Sequence, residues 1–458
     1  MDSVKETDVV VVGGGLSGLF AALTLRNAGH EVVVLEARNR VGGLTYSPMS
    51  KVLAARVDLG GQWAAVRHKR ISALIAKYNV PLTQQFVRGE RACLQDDRTF
   101  YGAMGTVPGL SEKEAAEYKQ GLKRLYDAMD KIAEDPWESA DARDLDSMTF
   151  ATWVDQEPTG PRARASFFRM PGAYYGALAE EISALELIHK LKSCGGPLWM
   201  SDAVEGGQSR HMMGSQMVSE GMARELGDAV KPSSPVRRIT TAGERVTVEA
   251  EAGTWKCKYV VCATSPAMIS QISFDPPLPA KRRLLHQRFA NGRNTKAVII
   301  YEKPFWRARG LNGNVIATDG SLTAAYDLGG ENPDRGILIT LFTGTPAYRM
   351  DELAPEQRKQ RVLGLLAQAL GEEALKPAEY MDQVWADEPW SGGASSPFML
   401  PGAMTTIGPE LREPCGPIYW AGTHMSKEFR GYMEGALSAA ENAAERISER
   451  LRRGAGQA

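Results

Sequence analysis

Hydrophobic residues along this chain fall into runs of two kinds. Val9–Val12 is an unbroken β-branched run, and His30–Leu35 ends in another. Runs apolar on both faces belong to strands covered on both sides, as in a parallel sheet. Between them, Leu19–Ala28 carries helical spacing. An alternating stretch over 236–263 predicts a β-meander, with Val246–Ala250 and Tyr259–Ala263 its clearest strands. Further strands are predicted at Thr295–Tyr301 and Gly336–Phe342. A charged helix is predicted over 113–134, and helices over 214–226 and 355–370. Over 180–191 the apolar positions Ile182, Leu185, Leu187, Ile188 and Leu191 predict an amphipathic helix. Near the C-terminus, Ala436, Ala439, Ala440, Ala443, Ala444 and Ile447 predict a helix whose small face packs closely.

The first two strands are joined by Gly13-Gly-Gly-Leu-Ser-Gly18, which fits G-x-G-x-x-G. Each glycine has a mechanical reason. Gly13 makes the tight turn, Gly15 lets a pyrophosphate approach the backbone, and Gly18 lets helix and strand pack closely. Leu16 and Ser17 open the helix, whose N-terminal N–H groups and dipole favour phosphate. Glu36 ends the second strand, eighteen residues past Gly18, about where an acid meets ribose hydroxyls. Strand, turn, helix, strand and acid together predict a dinucleotide site.

The glycine signal continues through Glu36-Ala37-Arg38-Asn39-Arg40-Val41-Gly42-Gly43. A second glycine pair suits a cofactor that runs deep into the protein, with Arg38 and Arg40 facing phosphate and adenine. This string resembles the FAD signature of the flavin-containing amine oxidase family, whose best-known members are the monoamine oxidases. Val57-Asp-Leu-Gly-Gly-Gln-Trp63 resembles the family's strand and turn under the flavin. Ile418–His424 and Arg430–Leu437 resemble its C-terminal strand, turn and helix start. Ser183-Ala-Leu, Cys194-Gly-Gly, Glu205-Gly-Gly-Gln208, Lys303-Pro-Phe-Trp306 and the stretch from Trp385 to Gly393 extend the resemblance nearly end to end.

The resemblance implies an α/β fold. A Rossmann-like FAD-binding domain (1–80, 204–285 and 385–458) is interleaved with an α+β substrate domain (81–203 and 286–384). It places cofactor contacts at Gly13, Gly15, Leu16, Ser17 and Gly18, then at Glu36, Ala37, Arg38, Arg40, Gly43 and Leu44. Others fall at Gly60, Gly61, Gln62 and Trp63, at Val236 through its backbone, and at Trp390, Gly422, Thr423, Tyr432 and Met433. Leu44 departs from the family's usual arginine and removes a cation near the cofactor.

The implied chemistry is hydride transfer from the carbon next to an amine nitrogen to flavin N5, followed by imine hydrolysis. The flavin does the electronic work while the protein positions and desolvates. A dry aromatic pocket keeps the amine neutral. Lys296 matches the family lysine that holds a water at N5, and Tyr432 one wall of the aromatic cage around the amine. The other wall departs from the family. Ala394 and Ser395 stand where Cys-Tyr is frequent, so FAD is expected to be non-covalent and the cage open on one side. Trp390, Phe429 or Trp63 are candidates to close it. Ser201, Gln208, Ser395 and Phe429 are candidate pocket residues, and His424 reads as structural. An open cage points to cyclic, secondary or N-heteroaromatic, nicotine-like amines. Alternatives are a simple primary monoamine or polyamine oxidase, a related FAD-dependent C–C desaturase, or a flavin-binding scaffold without turnover. Oxygen is the expected electron acceptor, giving hydrogen peroxide; a cytochrome or quinone is the alternative.

Composition narrows the partners. The 458 residues are 43% hydrophobic and 24% charged with a formal net charge of −1, which gives no footprint for nucleic acid. Five scattered cysteines in no C-x-x-C pair fit a reducing compartment, the cytoplasm, and six dispersed histidines predict no metal site. The first strand starts within eight residues, leaving no room for a signal peptide. No run approaches the ~20 apolar residues of a membrane span, so the anchor of the family's mitochondrial members is not expected. A homodimer is compatible with the resemblance.

Overall fold

The computed structural model describes residues 4–455. Val9–Val12 forms the middle of a five-stranded parallel sheet in the order Val230–Lys231, Val32–Leu35, Val9–Val12, Tyr259–Cys262, Ile418–Trp420. Each of the four valines is at most 6% exposed. At about 2 kcal/mol per buried side chain, such runs hold the centre of the fold. Helix Leu16–Asn27 packs against the C-terminal helix Met433–Ala455, where Ala21, Ala22, Ala440, Ala443 and Ala444 share one buried cluster. Small side chains on both helices permit that close approach.

The second large sheet is mixed and has seven strands. Its order is Glu379–Val384, Asn294–Tyr301, Gly336–Thr343, Ala324–Asp327, Leu311–Ala317, Glu90–Gln95, Arg98–Gly102. One row of residues crosses it from strand to strand. Lys296 pairs with Leu341, Leu341 with Ala324, Ala324 with Ile316, and Ile316 with Cys93. Members of such a row point to the same side of a sheet. Helices Glu112–Lys131 and Pro161–Tyr175 lie over that side, leaving a cavity with the sheet as floor and the two helices as roof.

Several expectations need correction. The meander consists of Val236–Ala242, Arg245–Ala250 and Gly253–Cys257, and Tyr259–Cys262 leaves it to join the parallel sheet. The switch follows from burial on both faces, which leaves no polar side for the meander's alternation. The helix expected over 180–191 starts only at Ala184, where the Ser183 hydroxyl caps it by accepting from the Glu186 N–H. It is not amphipathic in its setting. Ala184–Leu191 is buried throughout, Glu186 and Lys190 included. Glu186 is neutralised by Arg430 at 3.0 Å and accepts from the Tyr175 hydroxyl at 2.5 Å. The first helix begins at Leu16 rather than Leu19, because Gly15 and Ser17 fit its first turn. Val57–Leu59 forms no strand; its buried Val57 and Leu59 side chains pack on the mixed sheet against Val298, Ile300 and Ile339, while Asp58 ties Ser47, Gly214 and Ser215 together.

Candidate active site

A continuous cavity of about 430 Å³ runs from the first glycine turn to the space between the mixed sheet and its roof helices. At the glycine end, helix Leu16–Asn27 starts with no side-chain cap and no acidic residue in its first turn. Its N–H groups and positive dipole end therefore face the cavity unneutralised, as an anion site requires. Glu36 sits beside them, its carboxylate accepting from the Gly14 N–H at 2.6 Å and the Arg38 N–H at 2.8 Å. The glycines divide into two groups. A Cβ on Gly18 would drive into the Gly13 carbonyl, so Gly18 serves the protein's own packing. A Cβ on Gly15 would meet no protein atom nearer than Gly43 Cα at 3.8 Å, and one on Gly61 would meet nothing within 4 Å. Packing does not explain those two; close approach of a bound molecule does.

Unpaired buried polar atoms point the same way. Gln62 Nε2, Trp63 Nε1, Ser265 Oγ and Asn294 Oδ1 have no protein partner, and all four residues line the cavity. Buried polar atoms without partners are rare in native proteins, and here they mark where a polar ring system would bond. The cradle, the uncapped helix and these atoms fit a dinucleotide with a heteroaromatic head.

Lys296, 2% exposed, lies in the middle of the cavity wall. Its ammonium donates to the Gly60 carbonyl at 3.0 Å and to Gln62 Oε1. Burial pulls it down to about 7, against the opposing pull of Asp58. It is the third residue of the strand Asn294–Tyr301, buried beneath the Gly60–Gln62 turn. Tyr432 lines the same cavity with its ring against His68, centroids 5.1 Å apart. Burial pulls His68 down to about 4, so this support for the ring is uncharged at neutral pH. Thr423 fixes the approach to Tyr432. Its hydroxyl accepts from the Gly431 N–H at 2.7 Å and donates to the Tyr432 carbonyl at 2.9 Å.

The remaining expected residues separate by position. Gly13, Leu16, Ser17, Gly43, Leu44, Gly60, Trp390, Gly422 and Met433 line the cavity, as do Ser201, Gln208 and Ser395. Ala37, Arg40 and Val236 do not line it. The Arg40 guanidinium instead donates to the Gly43 carbonyl at 3.2 Å and packs over Tyr46, bracing the second glycine turn. Phe429 does not line the cavity either; it sits behind His68 at 4.7 Å and touches Trp199, so it cannot form a missing cage wall. Ser201 spends its hydroxyl on the Pro197 carbonyl of its own helix. Gln208 donates to the Tyr326 hydroxyl at 3.1 Å, and Tyr326 meets Trp63 edge-on.

Tyr326, Tyr174, Lys190, Arg91 and Arg169 line the cavity without having been singled out in the sequence. Lys190 was hidden because Glu186 and Lys190 stand four apart, the spacing of a solvated helix pair. Arg91 was hidden because no strand was expected at Glu90–Gln95.

Comparison with known proteins now decides the family. The model of the flavin containing amine oxidoreductase family matches residues 16–448. The chain belongs to that family. It is 34% identical over 454 residues to the flavin-containing amine oxidase of Oncorhynchus mykiss, covering 98% of this chain and 87% of that protein. It is 35% identical over 450 residues to flavin-containing amine oxidase B of Bos taurus, covering 97% and 86%. Among solved structures, wild-type putrescine oxidase bound to putrescine superposes with a TM-score of 0.91 at 30% identity, covering 97% of this chain and 99% of that one. Cyclohexylamine oxidase from Brevibacterium oxydans IH-35A gives 0.91 at 28% identity, with the same coverage. This flavin amine oxidase therefore has the monoamine oxidase-type fold, uses FAD and oxidises amines. The residues of the cradle fit that cofactor. Among the described residues no cysteine lines the cavity, and Ala394 offers no sulfur for a bond to the ring. No helix among the described residues is long and apolar enough to cross a membrane.

Proposed function

We propose that this amine oxidase acts on amines with bulk around the nitrogen: cyclic, secondary or N-heteroaromatic amines of the nicotine type. When bound, FAD supplies the two-electron acceptor, taking hydride from the carbon next to nitrogen and leaving an imine that water hydrolyses. Tyr432 orients the amine by its ring face. Lys296 supplies N–H donors and charge beside the redox centre, and the cationic lining disfavours the ammonium form, holding the amine neutral.

The observation that carries the substrate reading is Ser395. It accepts a hydrogen bond from Asn294 Nδ2 at 3.3 Å where a second ring would narrow the cage. That side is small and polar, leaving room for substituents on nitrogen. Likeness to an oxidase of a cyclic amine agrees with it. A diamine such as putrescine fits less well. Among the described residues the only carboxylate in the lining is Glu36, already engaged in the dinucleotide cradle, so a distal ammonium finds no counter-ion among them.

We assign oxygen as the acceptor, with hydrogen peroxide as product, and the cytoplasm as the compartment, on the strength of five unpaired cysteines. The test is an anaerobic panel of arylalkylamines, polyamines, cyclic amines and pyridine alkaloids, read as loss of the oxidised flavin spectrum. Faster bleaching by primary arylalkylamines or diamines than by any cyclic or secondary amine would overturn the substrate reading.

A further inference from the structure

Arg91, on strand Glu90–Gln95, and Arg169, on helix Pro161–Tyr175, meet at the end of the cavity away from the dinucleotide cradle. Each guanidinium makes a single protein hydrogen bond. Arg91 donates to the Thr106 carbonyl at 3.3 Å and Arg169 to the Thr323 carbonyl at 3.0 Å. The Nε of each is buried without a partner. Neither forms an ion pair among the described residues, and the one carboxylate in the lining, Glu36, belongs to the cradle. Burial and the neighbouring Arg169 charge pull Arg91 down to about 10. Two adjacent half-buried cations whose Nε atoms are buried without a partner, and which face no anion, are best satisfied by a ligand that supplies the counter-charge. Tyr118 and Tyr326 stand around them and offer hydroxyls rather than charge.

The sheet gives the distance scale. From Lys296 the row runs through Leu341, Ala324 and Ile316 to Cys93, and Arg91 lies two residues along from Cys93 on the same face. Four strand spacings are about 19 Å of backbone, shortened at the tips by the reach of the side chains. An anion held by the arginines is therefore far from a carbon being oxidised beside Lys296 and Tyr432. An α-carboxylate is too close to its own nitrogen to bridge that span.

We propose that Arg91 and Arg169 form a carboxylate subsite, and that the substrate is an extended amine with an anionic group at the end remote from the nitrogen. Paired guanidinium groups suit a planar carboxylate because they donate through several N–H groups at once. The inference rests on the amine oxidase reading and narrows it.

The test uses the FAD-loaded enzyme and matched ligands. Terminal amines of eight to twelve carbons are compared with the ω-amino acids of equal length and with their methyl esters, by kcat/KM. The acid is expected to exceed both neutral partners at least tenfold at one chain length. Arg169→Leu should lower the acid-to-ester ratio at least tenfold, and Arg169→Lys should recover part of it. Octanoate binding by calorimetry, against octanamide, tests the subsite without turnover, with at least tenfold tighter binding of the acid expected. Equal binding of octanoate and octanamide, or an acid-to-ester ratio at or below one at every length, would overturn the subsite. If no amine bleaches the flavin but octanoate binds preferentially, the subsite stands and the substrate reading fails.

Discussion

The Lys296 ammonium lies 3.0 Å from the carbonyl oxygen of Gly60, on the turn that the family resemblance places under the flavin. A charge there is matched to a step in which electrons leave the cofactor for oxygen, because negative charge then develops beside it. Burial sets the Lys296 pKa at about 7, so the group is charged below neutrality and loses its proton as pH rises. Reoxidation by oxygen is expected to slow as pH rises through about 7. Lys296→Met should slow it by about 100-fold and remove the inflection. Stopped-flow reoxidation of the reduced enzyme from pH 6 to 9 reads both effects. An unchanged inflection in the variant would remove Lys296 from the role.

Two glycines three residues apart should respond differently to the same change. Gly15→Ala adds a methyl that no protein atom opposes within 3.8 Å, so stability should stay within about 1 kcal/mol while FAD affinity falls at least tenfold. Gly18→Ala pushes into the Gly13 carbonyl and should cost more than about 3 kcal/mol. Thermal melts of the apoprotein and titration with FAD separate the two. Loss of fold in Gly15→Ala would mean that packing, not a ligand, explains that glycine.

Much of this cradle was legible because its geometry is local. Gly13, Gly15, Gly18 and Glu36 lie on one strand–turn–helix–strand unit, and spacing alone places them. The first two parallel strands were legible for the same reason, each being apolar on both faces. The floor and roof of the cavity were legible only in part: the strands of Lys296 and Leu341 and the roof helix Glu112–Lys131 were expected, and the roof helix Pro161–Tyr175 was not. Ile316, Ala324 and Leu341 meet through long-range strand pairing, and the strands carrying Arg91, Ile316 and Ala324 were not expected. Lys190 was missed for a different reason. Pairing rules describe solvent-facing helices, and nothing local reveals that Ala184–Leu191 is enclosed on every side.

Non-covalent attachment has a simple readout. Cys93 and Cys194 are buried, Cys257 and Cys262 lie in the sheets, and none of the five cysteines lines the cavity. Acid precipitation should leave colourless protein and all of the flavin in the supernatant. Colour retained in the pellet would contradict the placement of Ala394.

Tyr432 should act through its ring. Tyr432→Phe keeps the aromatic face and the contact with His68, so flavin reduction by a good substrate should stay within about threefold. Tyr432→Leu removes the face and should slow reduction about tenfold, the rate equivalent of 1.4 kcal/mol. Anaerobic stopped-flow gives the rates. Equal losses in both variants would assign the effect to the hydroxyl, which lies against Gly207.

The Glu186–Arg430 pair holds the segment that delivers Tyr432. The two charges lie 3.0 Å apart with both side chains at most 1% exposed, and the Tyr175 hydroxyl donates to the same carboxylate. Removing one partner leaves the other charge buried alone, so Arg430→Met should cost about 3–5 kcal/mol. Arg430 is two residues from Tyr432 and its carbonyl lies 3.6 Å from Cys194 Sγ, so the damage should reach the site as weaker FAD retention. Replacing both partners with apolar residues removes the stranded charge. The double variant Glu186→Leu/Arg430→Met should be more stable than Arg430→Met alone, although it has lost more polar contacts. Thermal melts of the three proteins decide this. A double variant less stable than either single one would show that the pair is held by shape around Tyr175 rather than by its charges.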